Sequence, residues 1–152
     1  MKVHALKGER ICSAICFSGD VIIRLEDADP KPLQRVDYYK DSLSYKMFGD
    51  IGINGALKIQ TRQSFDNVML SNIEVEYPGQ YIVEDKKLFF LNGYLAPGTL
   101  KVARNAIKRV EVLDHKNYKG SLNDYQTILI NVSTVTKEEE EKRLKSCSLK
   151  FE

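Results

Sequence analysis

The sequence predicts a mainly β chain, with α+β as the permitted variant. Antiparallel hairpins form a sandwich or a partly open barrel, and a surface helix lies near 136–146. Three observations support this. Short apolar runs alternate with period two, which turns one face of a strand towards a core. Turn residues, Asn-Gly pairs above all, separate those runs at close intervals. A complete helix start signal occurs only near the C-terminus.

The elements follow in order. Ser18-Gly19-Asp20 separates the apolar run Ile11–Phe17 from Val21–Leu25, where Val21, Ile23 and Leu25 alternate with Ile22, Arg24 and Glu26. The stretch from Glu26 to Pro32 reads as a loop, because proline removes a backbone donor and restricts the residue before it. Asn54-Gly55 is expected to close a hairpin between Ile51-Gly52-Ile53 and Leu57-Lys58-Ile59, since this pair suits a type I′ turn. A three-stranded meander is expected from about Gln80 to Ala96, turning at Glu84–Lys87 and at Asn92-Gly93. Its middle strand, Leu88–Leu91, is apolar on both faces and should be central. Tyr77-Pro78-Gly79 and Ala96-Pro97-Gly98 are further turns.

Residues 99–109 have two readings. Leu100, Ala103, Ile107 and Val110 fit helical spacing, with Thr99 as N-cap. The favoured reading is a strand, a turn at Arg104-Asn105-Ala106 and a second strand from Ile107, because Val110-Glu111-Val112 is strongly β-forming. A polar connection, His115–Asp124, then leads to the strand-like Tyr125–Val132. Thr136 and Glu139 have capping-box spacing at the start of the final helix. Cys147, Leu149 and Phe151 alternate and permit a short last strand.

Composition narrows the function classes. The 152 residues suit one domain, 1–152, and 43% hydrophobic against 29% charged is a mixture that buries a core. A net charge of +2 gives no global attraction to nucleic acid or to an anionic membrane. No run approaches the roughly 18 apolar residues of a membrane span, and no signal peptide is visible, so a cytoplasmic location is expected. The cysteines are three, Cys12, Cys16 and Cys147, which argues against a disulfide scaffold. Cys12 and Cys16 lie in an apolar run and read as core thiols. Lysine outnumbers arginine by more than two to one, which suits an AT-rich bacterial or phage genome.

Candidate chemistry is sparse. His4 and His115 lack an evident nucleophile partner, and no Gly-x-Ser-x-Gly elbow occurs. Glu26, Asp27 and Asp29 lack the glycine turn and further carboxylates of a calcium loop. The glycines between 49 and 55 fit neither dinucleotide nor Walker spacing. The remaining candidate is a basic cluster, Lys101, Arg104, Lys108 and Arg109, with Arg62 and Tyr118 as further ligand-binding residues. Arginine forks bind phosphates and tyrosine rings stack on bases.

The expected function is therefore a non-enzymatic binding module, with no catalytic residue, metal or cofactor. It engages a protein partner or a small anionic ligand through its loops, as an inhibitor or sequestering protein would. One alternative is a small hydrolase or lyase that pairs His115 with Asp114 or Glu111. The other is nucleic-acid binding through residues 101–109. Exposed sheet edges also permit a homo-oligomer.

Overall fold

The computed structural model describes residues 14–75, 87–113 and 128–142. The chain opens with a tight hairpin, β1 (Ile15–Ser18) and β2 (Val21–Ile23), paired from Cys16↔Ile23 to Ser18↔Val21. Gly19 turns it at φ 60°, a conformation that glycine adopts without strain. A 3₁₀ turn at Leu25–Asp27 follows, then β3 (Leu33–Tyr39), α1 (Asp41–Phe48) and a second 3₁₀ turn at Gly49–Gly52. Next come β4 (Ala56–Thr61), β5 (Asn67–Met69), β6 (Lys87–Leu91), β7 (Tyr94–Ala96) and β8 (Lys101–Ala103). The last elements are β9 (Arg109–Leu113), β10 (Ile128–Ser133) and α2, described over 137–142.

The strands form two sheets, ordered β3-β4-β1-β2-β8-β5 and β7-β6-β10-β9. Both are mixed: β1 with β4, β2 with β8 and β6 with β10 run parallel. Parallel neighbours need long connections, so hairpin logic alone does not reach them. One apolar cluster takes side chains from both sheets, including Phe17, Ile22 and Val102 from the larger and Leu91, Ile128 and Ile130 from the smaller. The chain passes between the sheets at residues 104–108, where the Lys108 amide donates to the Ser133 carbonyl at 2.8 Å.

The expectation for 99–109 resolves as strand, turn, strand: β8, a 3₁₀ turn at Arg104–Ala106, then β9. The hairpin at Asn92-Gly93 is present, with Leu91↔Tyr94 beside the turn. Its φ values of 53° and 88° are those of a type I′ turn. β6 is interior as expected: Leu91 joins the main cluster, and Phe90 joins Leu129 in a second one. The edge of β6 away from β7 is taken by β10. The meander's first strand, the turn at 77–79, the polar connection 115–124 and the strand expected after Cys147 lie outside the described residues.

Two expectations are overturned. No hairpin closes at Asn54-Gly55. The preceding residues form a 3₁₀ turn, and the Ile53 and Gly55 amides donate back to the Asp50 and Gly52 carbonyls at 3.2 and 3.0 Å. Asn92 is the only non-glycine residue with positive φ among the described residues, so Asn54 does not adopt a type I′ turn. The cause is α1, which occupies 41–48 and ends on Gly49 at φ 71°. Phe48 of α1 packs edge-on against Phe17 at 4.7 Å between ring centroids. Gly52 lies so close to α1 that an added Cβ would sit 2.5 Å from the Ser44 carbonyl oxygen. β2 also departs from the expected alternation. Val21, Ile22 and Ile23 are all buried, and Leu25 is exposed. An interior strand between β1 and β8 is covered on both faces, and the chain leaves the sheet before Leu25.

Candidate functional site

A cleft among the described residues opens where β2 ends. Arg24 still has extended backbone, and the 3₁₀ turn begins at the next residue. This places the Arg24 side chain across the open end of the β1–β2 hairpin, opposite the Asn92 turn and the chain leaving β10. The cleft has a volume of about 300 Å³. Ile15, Cys16, Ile22, Ile23 and Leu57 line it, with Cys16, Ile23 and Leu57 on one face of the sheet, and Arg24, Glu26, Asn92 and Thr134 form its polar rim. Such a volume is at the lower end of small-ligand pockets.

The rim is already hydrogen-bonded. Arg24 donates from Nη1 and Nη2 to the two Glu139 carboxylate oxygens at 3.0 and 2.9 Å, a bidentate pair. Nη1 also donates to the Thr134 carbonyl at 2.9 Å, and Nε donates to Glu26 at 2.7 Å. The hydrogen bond to Glu139 raises the Arg24 pKa, against an opposing effect of burial. In return the guanidinium, helped by the Thr136 amide, holds the Glu139 carboxyl down at about 2. Glu139 also closes the capping box of α2. It accepts from the Thr136 amide at 3.0 Å, and its own amide donates to the Thr136 hydroxyl at 3.3 Å.

The opposite wall is fixed by the type I′ turn. The Asn92 side-chain oxygen accepts from the Thr134 amide at 2.8 Å, and its Nδ2 donates to the Thr134 hydroxyl at 2.9 Å. The Gly93 amide donates to the side chain of buried Asn131 at 3.0 Å. One guanidinium faces two carboxylates, Glu26 and Glu139, so the set leaves one negative charge at the mouth.

The basic cluster is divided by the fold. Lys101 on β8 donates to Asp20 at 3.0 Å, and this contact lowers the Asp20 pKa. Arg104 in the following turn pairs with Asp66 at 3.3 Å. Arg109 belongs to the other sheet and pairs with Glu140 at 2.5 Å and with Glu111 at 3.6 Å. Lys108 is exposed between them. Arg62 follows β4, three strands from β8, and the strand spacing separates them by about 14 Å. Tyr118 lies outside the described residues, as do His4, His115, Asp114, Cys12 and Cys147. Cys16 is half-buried against the main core and lines the cleft. In the acidic loop, the Gln63 side chain accepts from the Asp29 amide at 2.7 Å and donates to the Asp27 carbonyl at 3.0 Å.

No family model, curated protein or solved structure matches this chain. No helix among the described residues is long and apolar enough to cross a membrane. Sequence reasoning missed the Arg24 side of the cleft. The capping box singled out Glu139, but its main partner lies 115 positions earlier. No local spacing encodes such a pair.

Proposed function

We propose that the chain is a non-enzymatic binding module that engages a protein partner. The cleft beside Arg24 takes an apolar side chain of that partner. The observation that carries this reading is the composition of the cleft: apolar walls under a rim whose Arg24, Asn92 and Thr134 groups already hydrogen-bond one another. Such a site selects by shape and by burial of apolar surface. Filling it with a leucine-sized side chain is favourable by about 1.5–3 kcal/mol before association costs. The excess carboxylate at the mouth favours a basic residue beside that side chain and disfavours an anion. A small anionic ligand is the weaker form of the proposal, because Lys101, Arg104 and Arg109 each meet an acidic side chain.

Capped peptides test this. One series presents leucine or phenylalanine beside lysine, and the other replaces the lysine with glutamate. Calorimetric titration should give measurable binding for the lysine series and a clear loss for the glutamate series. Glu26→Gln should narrow that difference. Equal binding of both series, or stronger binding of the acidic one, would refute the proposal.

A further inference from the structure

The outer edge of the larger sheet has a composition that suits a second copy of itself. Five large apolar residues are exposed among the described residues, and four of them, Val36, Tyr38, Leu43 and Met47, belong to β3 and the helix after it. Among the described strands β3 is the last of its sheet, and its seven residues make it the longest edge strand. Edge strands are usually protected by proline, by charged side chains, lysine above all, or by a β-bulge. β3 contains neither proline nor lysine, and its two charges, Arg35 and Asp37, have opposite signs on either side of Val36. They pair within the strand at 2.7 Å, and the Arg35 side chain is 68% exposed. The register shifts between Leu33 and Arg35, and from Arg35 to Tyr39 the strand pairs residue for residue with β4, so the irregularity lies at one end and this part of the edge is regular.

We propose that two copies of the chain join along β3 as an antiparallel pair about a two-fold axis at Val36. In that register Val36 faces the partner's Val36, and each Arg35 faces the partner's Asp37. Residues directly opposite in an antiparallel pair bring their Cβ atoms within about 5.5 Å, close enough for both ion pairs. An axis through Arg35 or Asp37 would set like charges against each other, and of the axes within β3 the one at Val36 alone sets both charges of the strand against opposite charges of the same strand. A two-fold at a residue position is compatible with either phase of the strand's hydrogen bonding, because bonded and non-bonded pairs alternate. The interface uses the same patch on both copies and closes on itself. β9 has the same alternation in Arg109-Val110-Glu111, but Arg109 is engaged by Glu140 of α2.

Analytical ultracentrifugation of the full chain, from micromolar to millimolar concentration, tests this. The expected result is a concentration-dependent mass twice that of one chain. Arg35→Asp and Asp37→Arg should each shift the dimer to monomer, weakening association at least tenfold. The double exchange Arg35→Asp with Asp37→Arg should restore it. Val36→Lys should also dissociate the dimer, with circular dichroism confirming that each variant is folded. A wild-type monomer at every concentration would overturn the proposal. So would a dimer that survives both Arg35→Asp and Val36→Lys.

Discussion

Replacing Glu139 with glutamine removes one charge from the Arg24 clamp and keeps a residue that still completes a capping box. The magnitude follows from the carboxyl pKa, held at about 2 against an ordinary 4.5. At about 1.4 kcal/mol per pKa unit, the full shift corresponds to about 3 kcal/mol. The Glu139 side chain is 31% exposed, and solvent screening reduces the effect to about 1–2 kcal/mol. A lowered carboxylate pKa stabilises the fold above the ordinary value. That stability disappears as pH falls through the folded value. Its window is therefore from about pH 4.5 down to about pH 2. Urea unfolding of both proteins across this range is the assay. At pH 7 the glutamine variant should be less stable by the stated amount, and the two stability curves should converge towards pH 2. Curves that stay parallel from pH 5 to pH 2, or that coincide at pH 7, would refute the assignment of the low pKa to the Arg24 contact.

Two further substitutions test the walls of the site. Asn92→Ala loses the tolerated left-handed conformation and the bond to the Thr134 amide, each worth about 1 kcal/mol. It should lower stability by about 2 kcal/mol in urea unfolding, and Asn92→Gly should recover part of that loss. Gly52→Ala places a methyl 2.5 Å from the Ser44 carbonyl oxygen, which is backbone of α1. The helix must shift, so a loss of about 1–3 kcal/mol is expected, with a lower thermal midpoint by calorimetry.

What was legible in the sequence depended on the range of the interaction. Asn92-Gly93 needs two positive φ angles, and those residue types supply them locally, so the β6–β7 hairpin could be read directly. The capping box of α2 has the same local character. Asn54-Gly55 carries the same dipeptide and gives a different turn, because α1 and the 3₁₀ turn at 49–52 take up the residues before it. Ile51 and Ile53 fit strand alternation, yet Ile51 is buried in that 3₁₀ turn. Dipeptide chemistry specifies a turn only where both flanks are free to be strands. The parallel pairs β1–β4, β2–β8 and β6–β10 join distant segments, and no period or turn residue encodes them. The basic cluster was compact in sequence only, because the chain changes sheet within it.

On the proposed function, binding goes through the apolar cleft and not through the cations. Methyl-resolved NMR of the chain with a bound leucine-lysine peptide tests that claim most directly. Intermolecular contacts are expected between the peptide leucine and the methyl groups of Ile23 and Leu57, which share a sheet face. Contacts gathered instead around Lys101, Arg104 and Lys108, with the Ile23 and Leu57 methyl groups unaffected, would contradict it.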